Sequence, residues 1–112
     1  MQVKYFKRVF DNISSTQSVD NIVNLYSDIL SIQVDGTFSA MTLKVYGKTT
    51  KEGDTFVELA SVNMTTFDIV TSITSKGIFE TAVEGICMLK LEISSISGGN
   101  ATVDIRLVST GV

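Results

Sequence analysis

Histidine, proline and tryptophan are missing from this 112-residue chain, and cysteine occurs once. Without histidine, neither a Ser-His-Asp nor a Cys-His catalytic arrangement can form, and a zinc site is disfavoured. The apolar neighbours of Cys87 in GICMLKL indicate a core or near-core thiol. Glu52, Asp54 and Glu58 lie near one loop, but their spacing matches no known calcium loop. We therefore predict that the protein is not an enzyme and holds no cofactor and no metal.

Long apolar runs and an excess of basic residues are also missing. No run approaches the roughly 18 residues of a membrane span, and the alternating segment MQVKYFKRVF is not a signal peptide. The net charge of -3 argues against nucleic acid, whose phosphates attract basic surfaces. We expect neither a membrane nor a nucleic acid as partner, and no export by a signal peptide.

What the chain does contain is typical of β-proteins. Thr, Ser, Val and Ile are abundant, and glycines fall mostly between apolar runs. Alternating runs at near-regular spacing, with no βαβ pattern, predict an all-β fold: an antiparallel β-sandwich or jelly roll of seven to nine strands. We divide the chain into an N-terminal strand or arm and loop, residues 1–17, and a β-sandwich domain, residues 18–112.

Residues 18–30 are open to two interpretations. Their apolar offsets fit a helix capped by Ser18. They also fit a strand NIVNL, a turn YSD and a second strand ILSIQV. Polar residues such as Asn21 and Asn24 weaken the helix, so we favour the strands.

Two longer segments predict β-hairpins. In ILSIQVDGTFSAMTLKVYG, Asp35-Gly36 is a preferred two-residue turn. In MLKLEISSISGGNATVDIRLV, residues 98–100 form the turn between two alternating runs. The apolar side of this second hairpin carries Leu89, Leu91, Ile93, Val103, Ile105 and Leu107, which we expect between two sheets. The other side carries Lys90, Glu92, Asp104 and Arg106, which we interpret as one wet outer face. We expect Lys44, Lys90 and Arg106 to pair across strands with the carboxylates Glu58, Glu92 and Asp104.

Three segments in order resemble a β-sandwich found in tailed-phage virion proteins. They are ILSIQVDGTFSAMTLKVYGK, GDTFVELASVNMTT and SITSKGIFETAVEGICMLKLEISSISGGNATVDIRLVS. The resemblance covers about residues 23–108, and its first segment is a strand, a short glycine turn and a strand that ends in glycine. Phe56 stands where the family often has tryptophan, which keeps an aromatic anchor.

The resemblance implies a non-enzymatic part of a virion, most plainly a capsid decoration or head-fibre protein. We expect the protein to be made in the bacterial host cytoplasm, to dock on the major capsid protein or another virion protein, and to form homo-oligomers. Similar sandwiches serve as carbohydrate-binding modules. A carbohydrate- or receptor-binding module of a phage tail or fibre is therefore the alternative.

The basic, amphipathic start of the chain is the candidate docking segment. Strand addition to a neighbouring sheet would supply main-chain hydrogen bonds, although an ordinary edge strand also fits the pattern. The predicted docking residues are Lys4, Tyr5, Phe6, Lys7, Arg8 and Phe10. For the glycan-binding alternative, the best exposed aromatic candidates are Tyr46 and Phe67.

Overall fold

The computed structural model describes residues 2–53 and 55–110, and within them the chain forms ten β-strands and no helix. The strands are β1 Gln2–Ile13, β2 Gln17–Val23, β3 Ile29–Gly36, β4 Ala40–Lys48, β5 Val57–Glu58, β6 Ser61–Asn63, β7 Ile69–Val70, β8 Gly77–Ala82, β9 Met88–Ser97 and β10 Ala101–Ser109. Sheet A has the order β1-β10-β3-β8-β6-β7, and sheet B has the order β2-β9-β4-β5. The predicted all-β antiparallel sandwich is confirmed. The strand number exceeds the prediction because β5 and β7 have only two residues each.

Most consecutive strands lie in opposite sheets, which is the winding of a jelly roll. The two predicted hairpins are therefore wrong. β3 belongs to sheet A and β4 to sheet B, while β9 belongs to sheet B and β10 to sheet A. Period-2 alternation records which side chains share a face, but it carries no information about the strand alongside.

The glycines that were predicted to form hairpin turns instead lie in two connections that cross from one sheet to the other. These two crossings pack against each other. Thr37 N donates to Asn100 O at 2.9 Å, which joins the β3–β4 crossing to the β9–β10 crossing. Gly36 has a φ of +136°, and a Cβ there would collide with Asn100 O. Gly99, with a φ of +145°, packs equally closely on Thr37. Only glycine allows both the backbone angle and the close approach.

The core lies between the sheets and is dominated by their central strands. The six apolar residues of β9 and β10 predicted to be sealed are each at most 3% exposed, which confirms that prediction. Burial of a Leu, Ile or Val side chain contributes roughly 1.5–3 kcal/mol. The outward positions of the same strands are polar, so each sheet presents one face to the core and one to the outside.

The ambiguous segment 18–30 adopts the strand alternative, with β2 at Gln17–Val23 followed by a loop. Asn24 begins that loop and is buried. Its side-chain amide donates to Ile86 O at 2.9 Å and to Val83 O at 3.1 Å. A polar residue that would interrupt a helix thus connects two loops at one end of the sandwich.

β1 is an edge strand of sheet A and pairs with β10 from Gln2↔Ser109 to Ile13↔Ala101. The segment predicted as a strand or arm is therefore an integral part of the sheet. Its register shifts three times against β10, between Val3 and Tyr5, between Arg8 and Phe10, and between Phe10 and Ile13. Each bulge adds residues to β1 and changes which side chains face outward.

Candidate docking surface

The bulge at Val9 divides the predicted docking residues. Arg8 pairs with Asp104 and Phe10 with Val103, so two steps along β1 match one step along β10. Strict alternation would put Phe6 and Phe10 on one face, whereas Phe6 is 74% exposed and Phe10 only 1%. Phe10 belongs to the core, so its ring is not on the surface that a partner could reach.

The other five predicted residues, Lys4, Tyr5, Phe6, Lys7 and Arg8, are all exposed. Phe6 and Arg8 stand opposite outward-facing residues of β10, so they lie on the outer face of sheet A. Tyr5 and Lys7 stand opposite the core residues Leu107 and Ile105 but lie at the open edge. Sheet A therefore presents basic and aromatic side chains along one edge and onto its outer face.

That outer face holds a groove of about 720 Å³ that spans β1, β10, β3 and β8. Phe6 stands at the β1 side and Ile78, 48% exposed, at the β8 side. The register aligns the residues between them, because Arg106 lies opposite Ser31 and Asp104 opposite Gln33. The remaining lining residues are Lys7, Arg8, Ile32 and Ile105.

One ion pair is already made inside the groove. Arg8 Nε donates to Asp104 Oδ1 at 2.8 Å, and a second guanidinium nitrogen donates to Oδ2 at 3.2 Å. The hydrogen bond to Asp104, followed by the attraction of its charge, raises the pKa of Arg8 above its ordinary value. This two-point contact engages the only acidic residue of the groove lining.

Arg106 is the guanidinium of the groove that has no such partner. Its side chain is exposed, and among residues 2–53 and 55–110 it makes no hydrogen bond, ion pair or ring contact. Its cross-strand neighbours are Phe6 on one side and Ser31 on the other, neither of which carries a charge. The predicted ion pair between Arg106 and a strand carboxylate is therefore wrong, because Asp104 is paired with Arg8.

On the outer face of sheet B, the charged and aromatic side chains contact one another. Lys44 Nζ lies 3.8 Å from Glu58 Oε1, as predicted for this pair, and Tyr46 Oη donates to Glu92 Oε1 at 3.3 Å. Lys90 Nζ lies 5.2 Å from the centre of the Tyr46 ring. The charged side predicted as one wet face is thus two faces, one on each outer side of the sandwich.

The two glycan candidates do not form one platform. Tyr46 lies on β4 of sheet B, with its hydroxyl and one ring face already occupied. Phe67 lies in the β6–β7 turn of sheet A, with 71% exposure and a φ of +64°. Sugar-binding sites stack rings on neighbouring aromatic faces, and these two residues lie in different sheets.

Across residues 2–53 and 55–110, no group of three or more His, Cys, Asp or Glu side chains could hold a metal ion. Asp54, one of the three carboxylates noted in the sequence, lies outside the described residues. The described residues also contain no helix long and apolar enough to cross a membrane.

Sequence reasoning found the β1 side of the groove and missed the rest. In the sequence, Ser31 and Gln33 are only alternating positions of one strand, β3, and Ile78 is a position of another, β8. Ile78 lies 72 residues after Phe6 in the chain, and only the strand order of sheet A brings both to one face. The one available signal was an Ile at an outward position, where a polar residue is usual.

Comparison with known proteins identifies the fold. No family model and no curated protein matches the chain. The SPBc2 prophage-derived protein YomS has a similar structure, with a TM-score of 0.82 and 19% identity over 94% of this chain and 92% of that one. The PBSX exported protein XepA matches with a TM-score of 0.80 and 20% identity over 94% of this chain. The match covers 37% of XepA, and at these identities both likenesses show the fold alone.

Proposed function

We propose that the protein is a non-enzymatic structural component of a phage particle, a capsid decoration or head-fibre protein that docks on the major capsid protein. The observation that carries this proposal is the open edge of β1, which displays basic and aromatic side chains in a protein of net charge -3. The likeness of the fold to two phage-derived proteins supports the phage setting.

The four sheet edges differ in what they offer a partner. β5 and β7 have two residues each, whereas β1 has twelve and β2 has seven. Bulges and basic residues on an edge strand discourage another copy of that strand from pairing with it. Two β1 strands side by side would bring two clusters of Lys4, Lys7 and Arg8 together. An acidic surface on another protein is the better match to this edge.

Electrostatic complementarity of this kind acts mainly on association rate and specificity. Binding to capsids should therefore weaken with salt, because exposed charges are screened within about 10 Å at 0.1 M ionic strength. We include self-association in the proposal, through a surface other than β1. Light scattering of the purified protein measures it, and a monomer at all concentrations would remove that part.

The sharpest test of docking replaces Phe6 by serine. Phe6→Ser should weaken binding to purified capsids by at least tenfold, because exposed aromatic anchors carry much of an interface's affinity. Phe67→Ser is the matched control, since Phe67 is 71% exposed and Phe6 is 74% exposed. Deletion of residues 1–10 is a poorer test, because it also removes Phe10 from the core.

Cosedimentation with capsids gives the readout, and circular dichroism confirms that both variants are folded. Equal binding by wild type and Phe6→Ser would show that β1 is not the docking strand. Absence of the protein from the particles in mass spectrometry of purified virions would overturn the virion assignment itself.

A further inference from the structure

We propose that the groove on sheet A binds an extended acidic segment of a partner protein, in which a carboxylate pairs with Arg106 and apolar side chains contact Phe6 and Ile78. The identification of that partner as a virion protein rests on the proposed function. The chemistry of the bound segment rests on the groove itself.

The width of the groove fits one extended chain. Phe6 lies on β1 and Ile78 on β8, three strand positions away in sheet A. Strand spacing of about 4.8 Å puts these residues roughly 14 Å apart across the strands, and the register offsets them by two residues along the strands, which leaves room for one extended chain between them. The floor between them is low because Ser31 and Gln33 stand at its centre.

The charge of the groove selects an acidic occupant. The lining side chains that stand on this outer face include the cations Arg8 and Arg106 and one carboxylate, Asp104, which gives 2 - 1 = +1, while Lys7 lies at the open edge opposite Ile105. The whole chain has a charge of -3, so the groove lining has the opposite sign, although Glu80 on β8 stands just outside it, opposite Ser31. Since Arg8 already holds Asp104, Arg106 is the guanidinium free to take a carboxylate at two points.

The apolar sides distinguish a peptide from a bare anion. Phe6 and Ile78 are 74% and 48% exposed. Phe6 stands beside Arg106 in one cross-strand row, and Ile78 stands at the far side of the groove in the neighbouring row of Asp104 and Gln33. An anion would use Arg106 but leave both apolar side chains in water. A chain that alternates acidic and apolar residues buries the apolar pair and engages the guanidinium together, as extended peptides do on other sheet surfaces.

A peptide assay tests this without any virion. The probe is a short, end-blocked peptide that alternates leucine and glutamate, and the reference probe alternates leucine and glutamine. Fluorescence anisotropy should show the glutamate peptide binding wild type about tenfold more tightly than the glutamine peptide. Arg106→Ala should remove that preference, and Arg106→Lys should restore only part of it.

Lys90→Ala is the matched control, because Lys90 is a cation at the corresponding outward position of sheet B. It should leave both peptide affinities unchanged. Phe6→Ser should weaken both peptides by a similar factor, since it removes the apolar contact that they share.

Four results would overturn the groove proposal. The first is equal binding of the two peptides by wild type. The second is an unchanged preference in Arg106→Ala. The third is light scattering that shows a dimer broken by Arg106→Glu, which would make the occupant a second copy. Effective competition by single-stranded DNA would also contradict it, because an anion site would then suffice.

The two proposals fail separately. Capsid binding that depends on Phe6, without any peptide preference at Arg106, would keep the docking function and reject the acidic segment. Peptide preference with no capsid binding would do the reverse.

Discussion

The outer faces of sheets A and B are both built from alternating strands, yet they treat their charges differently. On sheet B, Lys44 contacts Glu58, and Lys90 lies over Tyr46. On sheet A, Arg8 is paired with Asp104 and Asp11, while Arg106 has no partner among residues 2–53 and 55–110. The cations of face B have partners within the protein, so this face suits contact with water. Face A leaves Arg106 beside the exposed Phe6, with Ile78 exposed in the neighbouring row, and the proposed binding of a partner rests on this arrangement.

The largest expected loss of stability comes from disturbing the β3–β4 and β9–β10 crossings, which connect the two sheets and so define the two faces. Gly36→Ala should lower the free energy of unfolding by about 3 kcal/mol, because the new Cβ meets backbone at Asn100 and φ is positive. Tm should fall by more than about 10 °C. Differential scanning calorimetry measures both quantities.

Gly85→Ala is the matched control for Gly36→Ala. Gly85 also has a positive φ, +82°, but a Cβ there meets nothing within 4 Å. Its cost should be the conformational one alone, about 1 kcal/mol. Equal losses in the two variants would mean that the stacked crossings contribute nothing beyond backbone preference.

Smaller changes in the free energy of unfolding allow the two faces to be compared directly. Lys90→Ala should lower the free energy of unfolding by about 0.5–1 kcal/mol, because the ammonium group lies near the rings of Tyr46 and Phe56. Arg106→Ala should change it by less than about 0.5 kcal/mol, since no intramolecular contact is lost. Urea denaturation gives both values, and the reverse order would contradict the contrast between the faces.

The smallest effect concerns pH and face B. Burial, then the negative charge of Glu92 and its hydrogen bond, then Glu58, raise the pKa of Tyr46 above 10.0. A raised pKa in the folded state means that the protonated phenol stabilises the fold below the unfolded pKa. That contribution is lost as pH rises through the folded pKa. Ultraviolet titration should show late ionisation that is missing in Tyr46→Phe, and an unchanged titration curve would refute it.

The strands and the core could be predicted because alternation reports directly which side of a strand is apolar. Leu91 and Ile105, for example, are buried as their positions indicate. Pairing could not be predicted. Asp35-Gly36 looks like a hairpin turn, but glycine with positive φ serves a sheet crossing equally well.

The candidate site was predictable only where local sequence defines it. Phe6 was identified because it lies in a basic, aromatic segment. Phe10 was assigned to the wrong face because a bulge changes the alternation and leaves no mark in composition. Arg106 and Ile78 join the same groove through pairings between distant strands, which no local pattern encodes.

The pairing of β10 with both β1 and β3 has a consequence for biosynthesis. Until β10 leaves the ribosome, the inner strands of sheet A lack their central neighbour and their apolar side chains stay uncovered. Ribosomes add about 5–20 residues per second, so roughly 100 residues wait for seconds before sheet A can close. Topologies dominated by such distant pairings also fold slowly, in about milliseconds to seconds. Aggregation during synthesis is therefore a hazard for this chain, and molecular chaperones are expected to raise its yield.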